Sequence, residues 1–302
     1  MTIIQLEYLL AVANCGSFSA AAKKCFVTQP SLSMQIKSLE QELGAVLLDR
    51  TKKPVIPTHV GEAVLLQARE TLSAFNTIKE IATATRGSIS GRLRVGILPT
   101  IAPYILNLLL PLLDERCPDV EVEIVEMTAA KIIESLDRDA IDVAIMSAGT
   151  TPENINTIEL FNDRLMVYLS PRSPLSARTS IRLDEINSKN LLVLSAEHCF
   201  RYQVLELLSS PYDDEPAQFN SNYTASSLET LMSFVDSSDM MTVLPEMAVR
   251  MLPLERKYQV RPLAKGAISR KVVLATRRGY IKQSVIAVLQ QALVDVGEQL
   301  NA

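Results

Sequence analysis

The segment Glu197-His-Cys-Phe-Arg-Tyr-Gln203 places an imidazole, a thiol and a guanidinium close together in the chain. It follows the apolar run Leu191-Leu-Val-Leu-Ser195, so His198 and Cys199 are expected where a strand ends and a helix begins. A thiol at a helix amino end feels the positive end of the macrodipole, which lowers its pKa. Arg201, and His198 when protonated, would add to that effect. The thiolate is the reactive form, so Cys199 is a candidate peroxide-sensing residue. The competing reading is an inert buried cysteine beside a structural histidine, the commoner fate of intracellular thiols. A Cys–His nucleophile is a weak third reading, because adjacent residues seldom point their side chains at each other.

A different chemistry is written near the amino terminus, in Ser17-Phe-Ser-Ala-Ala-Ala followed by Thr28-Gln-Pro-Ser-Leu-Ser-Met-Gln-Ile-Lys-Ser-Leu-Glu. Two short helices joined by a tight connection are expected. Ser19 is read as the cap of the first and Thr28 of the second, because a hydroxyl accepts an orphan first-turn N–H. Pro30 is tolerated in a first turn. Leu32, Ile36, Leu39 and Leu43 form one apolar stripe. The opposite arc carries Ser31, Ser33, Met34, Lys37 and Ser38, with Gln35 at its flank. Short, neutral or positive groups of this kind bond bases and phosphates without repelling a duplex, as the second helix of a helix-turn-helix does in the major groove. An ordinary amphipathic helix is the plainer reading, and the paired caps argue against it.

Those helices need a frame. Leu47-Leu-Asp-Arg-Thr-Lys-Lys-Pro-Val-Ile-Pro-Thr58 reads as a β-hairpin wing whose cations Arg50, Lys52 and Lys53 meet phosphate. Gly61 to Arg86 contains no further Gly or Pro and carries Val64, Leu65, Ala68, Leu72, Phe75, Ile78, Lys79 and Ala82. A long helix with a seam suited to a second copy is expected, hence a homodimer or homotetramer. Candidate DNA contacts are Ser17, Thr28, Gln29, Pro30, Ser31, Ser33, Met34, Gln35, Lys37, Arg50, Lys52 and Lys53.

Beyond residue 90 strands and helices alternate. Strands are expected at 92–98, 120–126, 142–146, 164–170, 191–195, 217–222, 241–244 and 271–276, and helices at 101–116, 129–138, after Cys199, at 226–235 and at 281–299. The fold class is therefore α+β multi-domain. It comprises a winged helix-turn-helix (1–58), a linker helix (59–90) and a two-lobed α/β effector domain (91–302). Lobe I is 91–162 plus 266–302 and lobe II is 163–265. A cleft between such lobes, at strand carboxyl ends, is a natural ligand site.

Composition sets limits. With 302 residues, 48% hydrophobic and 21% charged, the chain reads as folded and soluble. The net charge of −4 does not advertise nucleic acid, but residues 1–58 hold six Lys/Arg against four Asp/Glu. No cationic n-region precedes the first apolar run, and the stretch Ile101–Leu113 is interrupted by Pro103, Asn107 and Pro111. A cytoplasmic protein without membrane contact is expected. Cys15, Cys25, Cys117 and Cys199 show no CxxC spacing, and only His59 and His198 are present. No metal site and no His-based hydrolase are expected. No GxGxxG or P-loop appears, so no nucleotide cofactor is expected.

Residues 1–87 resemble LysR-type transcriptional regulators at Leu6, Phe18, Ala20-Ala-Ala, Thr28 to Ile36, Leu39-Glu, Leu43-Gly, Leu47 and Arg50. That resemblance implies the wing, the linker helix and an effector domain of the periplasmic-binding-protein type. It also implies double-stranded promoter DNA and RNA polymerase as partners. Leu98-Pro-Thr-Ile-Ala-Pro-Tyr104, His198-Cys199, Arg201, Gln203, Ser226-Ser-Leu-Glu-Thr-Leu231, Val243-Leu-Pro245 and Arg270 resemble the peroxide-sensing, OxyR-like branch. The resemblance makes Cys199 the peroxide-reactive thiol. It assigns Thr100 and His198 to peroxide binding and Arg270 to stabilising the thiolate. Thr128 and Ser226 join Thr100 in the effector cleft. The branch's resolving cysteine falls at Leu208 here, so oxidation is expected to stop at sulfenic acid or be capped by a small thiol. The alternative is a reversible ligand, anionic because of Arg270. A cleft enzyme or a solute-binding protein is the remote alternative.

Overall fold

The structure, a computed structural model, describes residues 1–84, 91–149, 151–186, 190–207, 225–264, 268–277 and 283–301. They fall into two compact units, one holding residues 1–84 and the other residues 91–277 and 284–301.

The first unit runs α1 (Ile3–Cys15), α2 (Phe18–Lys24), α3 (Gln29–Leu43), β1 (Leu48–Asp49), β2 (Ile56–Pro57) and α4 (His59–Ala84). The side chain of Ser17, rather than Ser19, caps α2 by accepting from Ala20 N. The next hydroxyl along, Ser19, lies inside the first turn. Thr28 caps α3 and Pro30 sits in its first turn, as expected. Leu32, Ile36 and Leu39 are fully buried, each worth about 1.5–3 kcal/mol of transfer free energy. Leu43 is exposed, because the helix ends there and Gly44 turns away in the left-handed region. The wing is present: Leu48 faces Pro57 and Asp49 faces Ile56 in an antiparallel pair. Gly16 adopts φ +62, and a Cβ there would come within 2.7 Å of Pro54 Cβ, so α1 ends in contact with the wing.

One expectation about α4 needs correcting. Leu65 and Ala68 are buried and Val64 and Leu72 half-buried in this unit's own core, with α1 packed against the helix. That part of the seam is satisfied within one chain. Ile78 of the expected seam is 65% exposed, and Leu66, outside that seam, is 53% exposed.

The second unit holds β3 (Gly91–Ile97), α5 (Ala102–Arg116), β4 (Val120–Glu126), α6 (Ala129–Asp137), β5 (Val143–Ser147) and β6 (Ile155–Leu169), followed by two short 3-10 turns. It continues with β7 (Leu191–Leu192), α7 (Cys199–Leu207), α8 (Leu228–Ser237), β8 (Met241–Pro245), α9 (Glu246–Arg250), α10 (Leu254–Lys257), β9 (Val260–Pro262), β10 (Ser269–Arg277) and α11 (Gln283–Asn301). The strands make one sheet in the order β4-β3-β5-β10-β6-β8-β7, with β9 also on β6. β3 is parallel to β4 and β5, while β10 runs antiparallel between β5 and β6.

β6 starts earlier than expected, at Ile155, because its mixed polar and apolar residues up to Arg164 pair with β10 while Leu165–Leu169 pair with β8. One strand thus serves two half-sheets, and a single hydropathy pattern does not describe it. β7 is shorter than expected: it ends at Leu192, and a turn intervenes before α7. The strand expected at 217–222, the position Leu208, and the end of the linker at 85–90 lie outside the described residues. Among the described residues no helix is long and apolar enough to cross a membrane.

Candidate functional site

The strand register builds the centre of the second unit. Arg270 on β10 lies directly opposite Asp163 on β6. Arg270 Nε donates to Asp163 Oδ2 at 2.9 Å, and Met247 N donates to Asp163 Oδ1 at 3.1 Å. Thr100, just past β3, accepts from Arg270 Nη1 at its hydroxyl (3.0 Å) and from Nη2 at its carbonyl (2.8 Å). Nη2 also meets Met247 Sδ at 3.6 Å, and the guanidinium carbon stands 5.1 Å from the Phe200 ring centre. Arg270, Asp163 and Phe200 are all buried. Burial pushes the Asp163 carboxyl up, while Arg270 and the amides of Met247 and Glu246 pull it down.

Cys199 is half-buried at the start of α7, next to Phe200. Burial pushes its thiol pKa up, outweighing the lowering by Arg270 and by the backbone amides of Cys199 and Phe200. That direction runs against the lowering expected from helix position and Arg270. The positive charge that would hold a thiolate belongs to a guanidinium already neutralised by Asp163. Arg201 is corrected too: its Nη1 donates to Leu194 O at 3.0 Å, tying α7 to the preceding turn. His198 is buried, with Nε2 3.8 Å from Glu197 Oε1, beyond hydrogen-bond distance. Thr128 caps α6, accepting from Lys131 N, and Ser226 is exposed just before Ser227, the cap of α8. The structure thus joins Thr100 to Arg270 directly and brings Cys199 within electrostatic reach of Arg270, while Thr128 and Ser226 serve or flank helix ends. Each guanidinium nitrogen of Arg270 is engaged by Asp163 or Thr100.

Asp163 and Ser147, which the sequence did not single out, add to the site beside Gln203, Tyr104 and Glu229 of the quoted motifs. Asp163 anchors Arg270 across 107 positions of chain, a pairing no local pattern records. Among the described residues Ser147 Oγ, at the end of β5, and Gln203 Oε1, on α7, are buried without a hydrogen-bond partner, while Gln203 Nε2 donates to Ala148 O at 3.4 Å. Tyr104 on α5 donates to Glu229 on α8 at 2.9 Å. Burial and that carboxylate push the phenol pKa up.

In the first unit Thr28, Gln29, Pro30, Met34, Gln35 and Lys37 are exposed, and Ser17, Ser31 and Ser33 half-buried. Gln35 Oε1 accepts from Gln5 Nε2 at 3.3 Å, so one of its two polar ends is occupied. Arg50 is not a free phosphate ligand: it pairs with Glu40 at 2.7 Å and lies 5.0 Å from the Phe18 ring centre. Lys52 and Lys53 at the wing tip are exposed.

Two family models match the chain: "Bacterial regulatory helix-turn-helix protein, lysR family" over residues 3–62, and "LysR substrate binding domain" over 86–297. The hydrogen peroxide-inducible genes activator of Haemophilus influenzae is 33% identical over 279 residues, 92% of this chain and 91% of that protein. The DNA-binding transcriptional dual regulator OxyR of Escherichia coli is 34% identical over 257 residues, 85% of this chain and 82% of its own. Among solved structures, a full-length cysteine-to-aspartate OxyR variant from Pseudomonas aeruginosa matches with a TM-score of 0.78 at 32% identity, covering 97% of this chain and 98% of that one. A peroxide-bound OxyR variant from Corynebacterium glutamicum matches with a TM-score of 0.65 at 28% identity, covering 99% and 93%. With a helix-turn-helix carrying capped recognition-helix geometry, a wing, and an effector unit matched over most of its length, the chain belongs to the LysR family of bacterial DNA-binding transcriptional regulators and is similar to its OxyR members.

Proposed function

We propose that this regulator binds promoter DNA through α3 and the wing and senses hydrogen peroxide, or another thiol oxidant, at Cys199. The observation that carries this reading is the position of Cys199: a half-buried thiol at the amino end of α7, within electrostatic reach of Arg270, which itself holds Thr100. We read 91–162 with 266–302 as one lobe and 163–265 as the other, with Cys199 at their junction.

In the chemistry, the thiol first gives up its proton, the thiolate sulfur attacks one peroxide oxygen, the O–O bond breaks, and the departing hydroxide takes up a proton and leaves as water, giving a sulfenic acid. Peroxide held by Thr100 and His198 would meet the thiolate fraction of Cys199 in place, which accelerates the attack. Residue 208 is leucine, so the sulfenic acid has no nearby partner nine residues on. Treating the full chain with peroxide and a sulfenic-acid trap should label Cys199 and produce no Cys199 disulfide within the chain. Labelling confined to Cys15, Cys25 or Cys117 would overturn the assignment.

We further read α4 as the self-association element, with RNA polymerase contacted from the DNA-bound oligomer. Replacing Leu66 and Ile78 together by Glu should at least halve the sedimentation mass of the full chain. Leu72→Glu would instead disrupt the first unit's own core. Unchanged mass in the double variant would place the oligomer contact elsewhere.

A further inference from the structure

The turn between α2 and α3 presents a side chain that the fold itself does not use. Val27 N donates to Ala22 O at 3.0 Å and Phe26 N to Lys23 O at 3.2 Å, the paired bonds that close a helix with a left-handed residue. Phe26 is that residue, with φ +56. Gly or Asn holds this position with little strain, whereas a residue with a bulky side chain is strained in the left-handed region. Yet the Phe26 ring is 96% exposed, so it returns almost no burial to the fold. A strained backbone carrying a solvated aromatic ring points to use by a partner.

The surroundings identify the partner's chemistry. Lys23 and Lys24 are exposed on one side of Phe26, and Thr28, Gln29 and Pro30 on the other. No Asp or Glu occurs between Glu7 and Glu40, so nothing in this stretch of chain repels phosphate. The amino end of α3, where a recognition helix addresses bases, begins three residues after Phe26. We propose that Phe26 is an apolar DNA contact, its ring laid against a thymine methyl or deoxyribose at the edge of the major groove. This rests on the reading that the amino end of α3 faces the duplex. A contact of this kind adds affinity without releasing counterions, unlike the neighbouring lysines.

The probe is a fluorescent duplex selected by the full wild-type chain from a randomised pool, titrated by anisotropy across salt concentrations. Phe26→Asn should weaken binding roughly tenfold with an unchanged salt slope. Lys23→Ala should flatten that slope by about 0.9. Asn suits the left-handed position, so the Tm of Phe26→Asn should equal or exceed that of the wild type, which separates lost contact from lost fold. Wild-type affinity in Phe26→Asn would overturn the inference. A Gln29→Ala, Ser33→Ala double variant distinguishes the two levels. If it weakens binding while Phe26→Asn does not, only the Phe26 contact fails. If neither weakens binding, the placement of α3 fails with it.

Discussion

Cys199→Ser is expected to abolish the response to peroxide while leaving the unoxidised protein folded and able to bind DNA. A hydroxyl keeps the volume and a weak hydrogen bond at the start of α7 but cannot form a sulfenic acid. The measurement is amide hydrogen exchange across α7, with affinity for a selected duplex, before and after peroxide. The wild type should change in both and the variant in neither. A variant that still responded would move sensing to Cys15, Cys25 or the buried Cys117. The pH dependence has a defined sign. Burial holds the Cys199 pKa above that of an ordinary thiol. At neutral pH the group is therefore mostly protonated, and each unit of pH rise toward its pKa should increase the thiolate, and with it the oxidation rate, by about tenfold. A rate flat from pH 6 to pH 9 would mean that the thiol is already ionised and that Arg270 acts on it more strongly than its bonds to Asp163 and Thr100 allow.

Asp163→Ala is expected to destabilise the effector unit by about 3–5 kcal/mol, because it strands the Arg270 guanidinium, buried and unpaired, inside the sheet. It also orphans Met247 N at the start of α9. Denaturant unfolding followed by a probe in this unit measures the loss. Replacing the pair together, Asp163→Leu with Arg270→Met, should recover much of it, since a buried ion pair exceeds an apolar pair of similar volume by little or nothing. Asp163→Asn should cost less than alanine and have a second effect. With the opposing carboxylate gone, the Arg270 charge acts on Cys199 more fully, its pKa falls, and alkylation at neutral pH accelerates. A loss below about 1 kcal/mol in Asp163→Ala would show that Arg270 finds another anion or water, contrary to the buried pair described here.

Local rules settled the DNA-binding unit from sequence. Thr28, Pro30 and the Leu32, Ile36, Leu39 stripe obey capping and periodicity rules that act within one helix, and the wing is a short turn between neighbouring segments. The misplaced cap at Ser19 came from two hydroxyls two residues apart, either of which satisfies the rule; backbone dihedrals chose Ser17. Sequence also marked Cys199, Thr100 and Arg270 through resemblance, with the missing thiol at Leu208.

What those residues do to one another was decided by tertiary structure. The Arg270–Asp163 pair depends on strand register between β10 and β6, which is set by the whole sheet. That pairing, with burial around Cys199, opposes the lowering expected from helix position and Arg270, because desolvation pushes the thiol up while the guanidinium shares its charge with Asp163. The same applies to Arg50, free by composition but engaged by Glu40 once the wing folds back on α3. It applies also to α4, whose sequence shows one apolar seam but whose packing against α1 divides it between the core and the surface. Periodicity and capping are short-range and legible in the chain, whereas charge balance and desolvation depend on neighbours that only the folded sheet and core bring together.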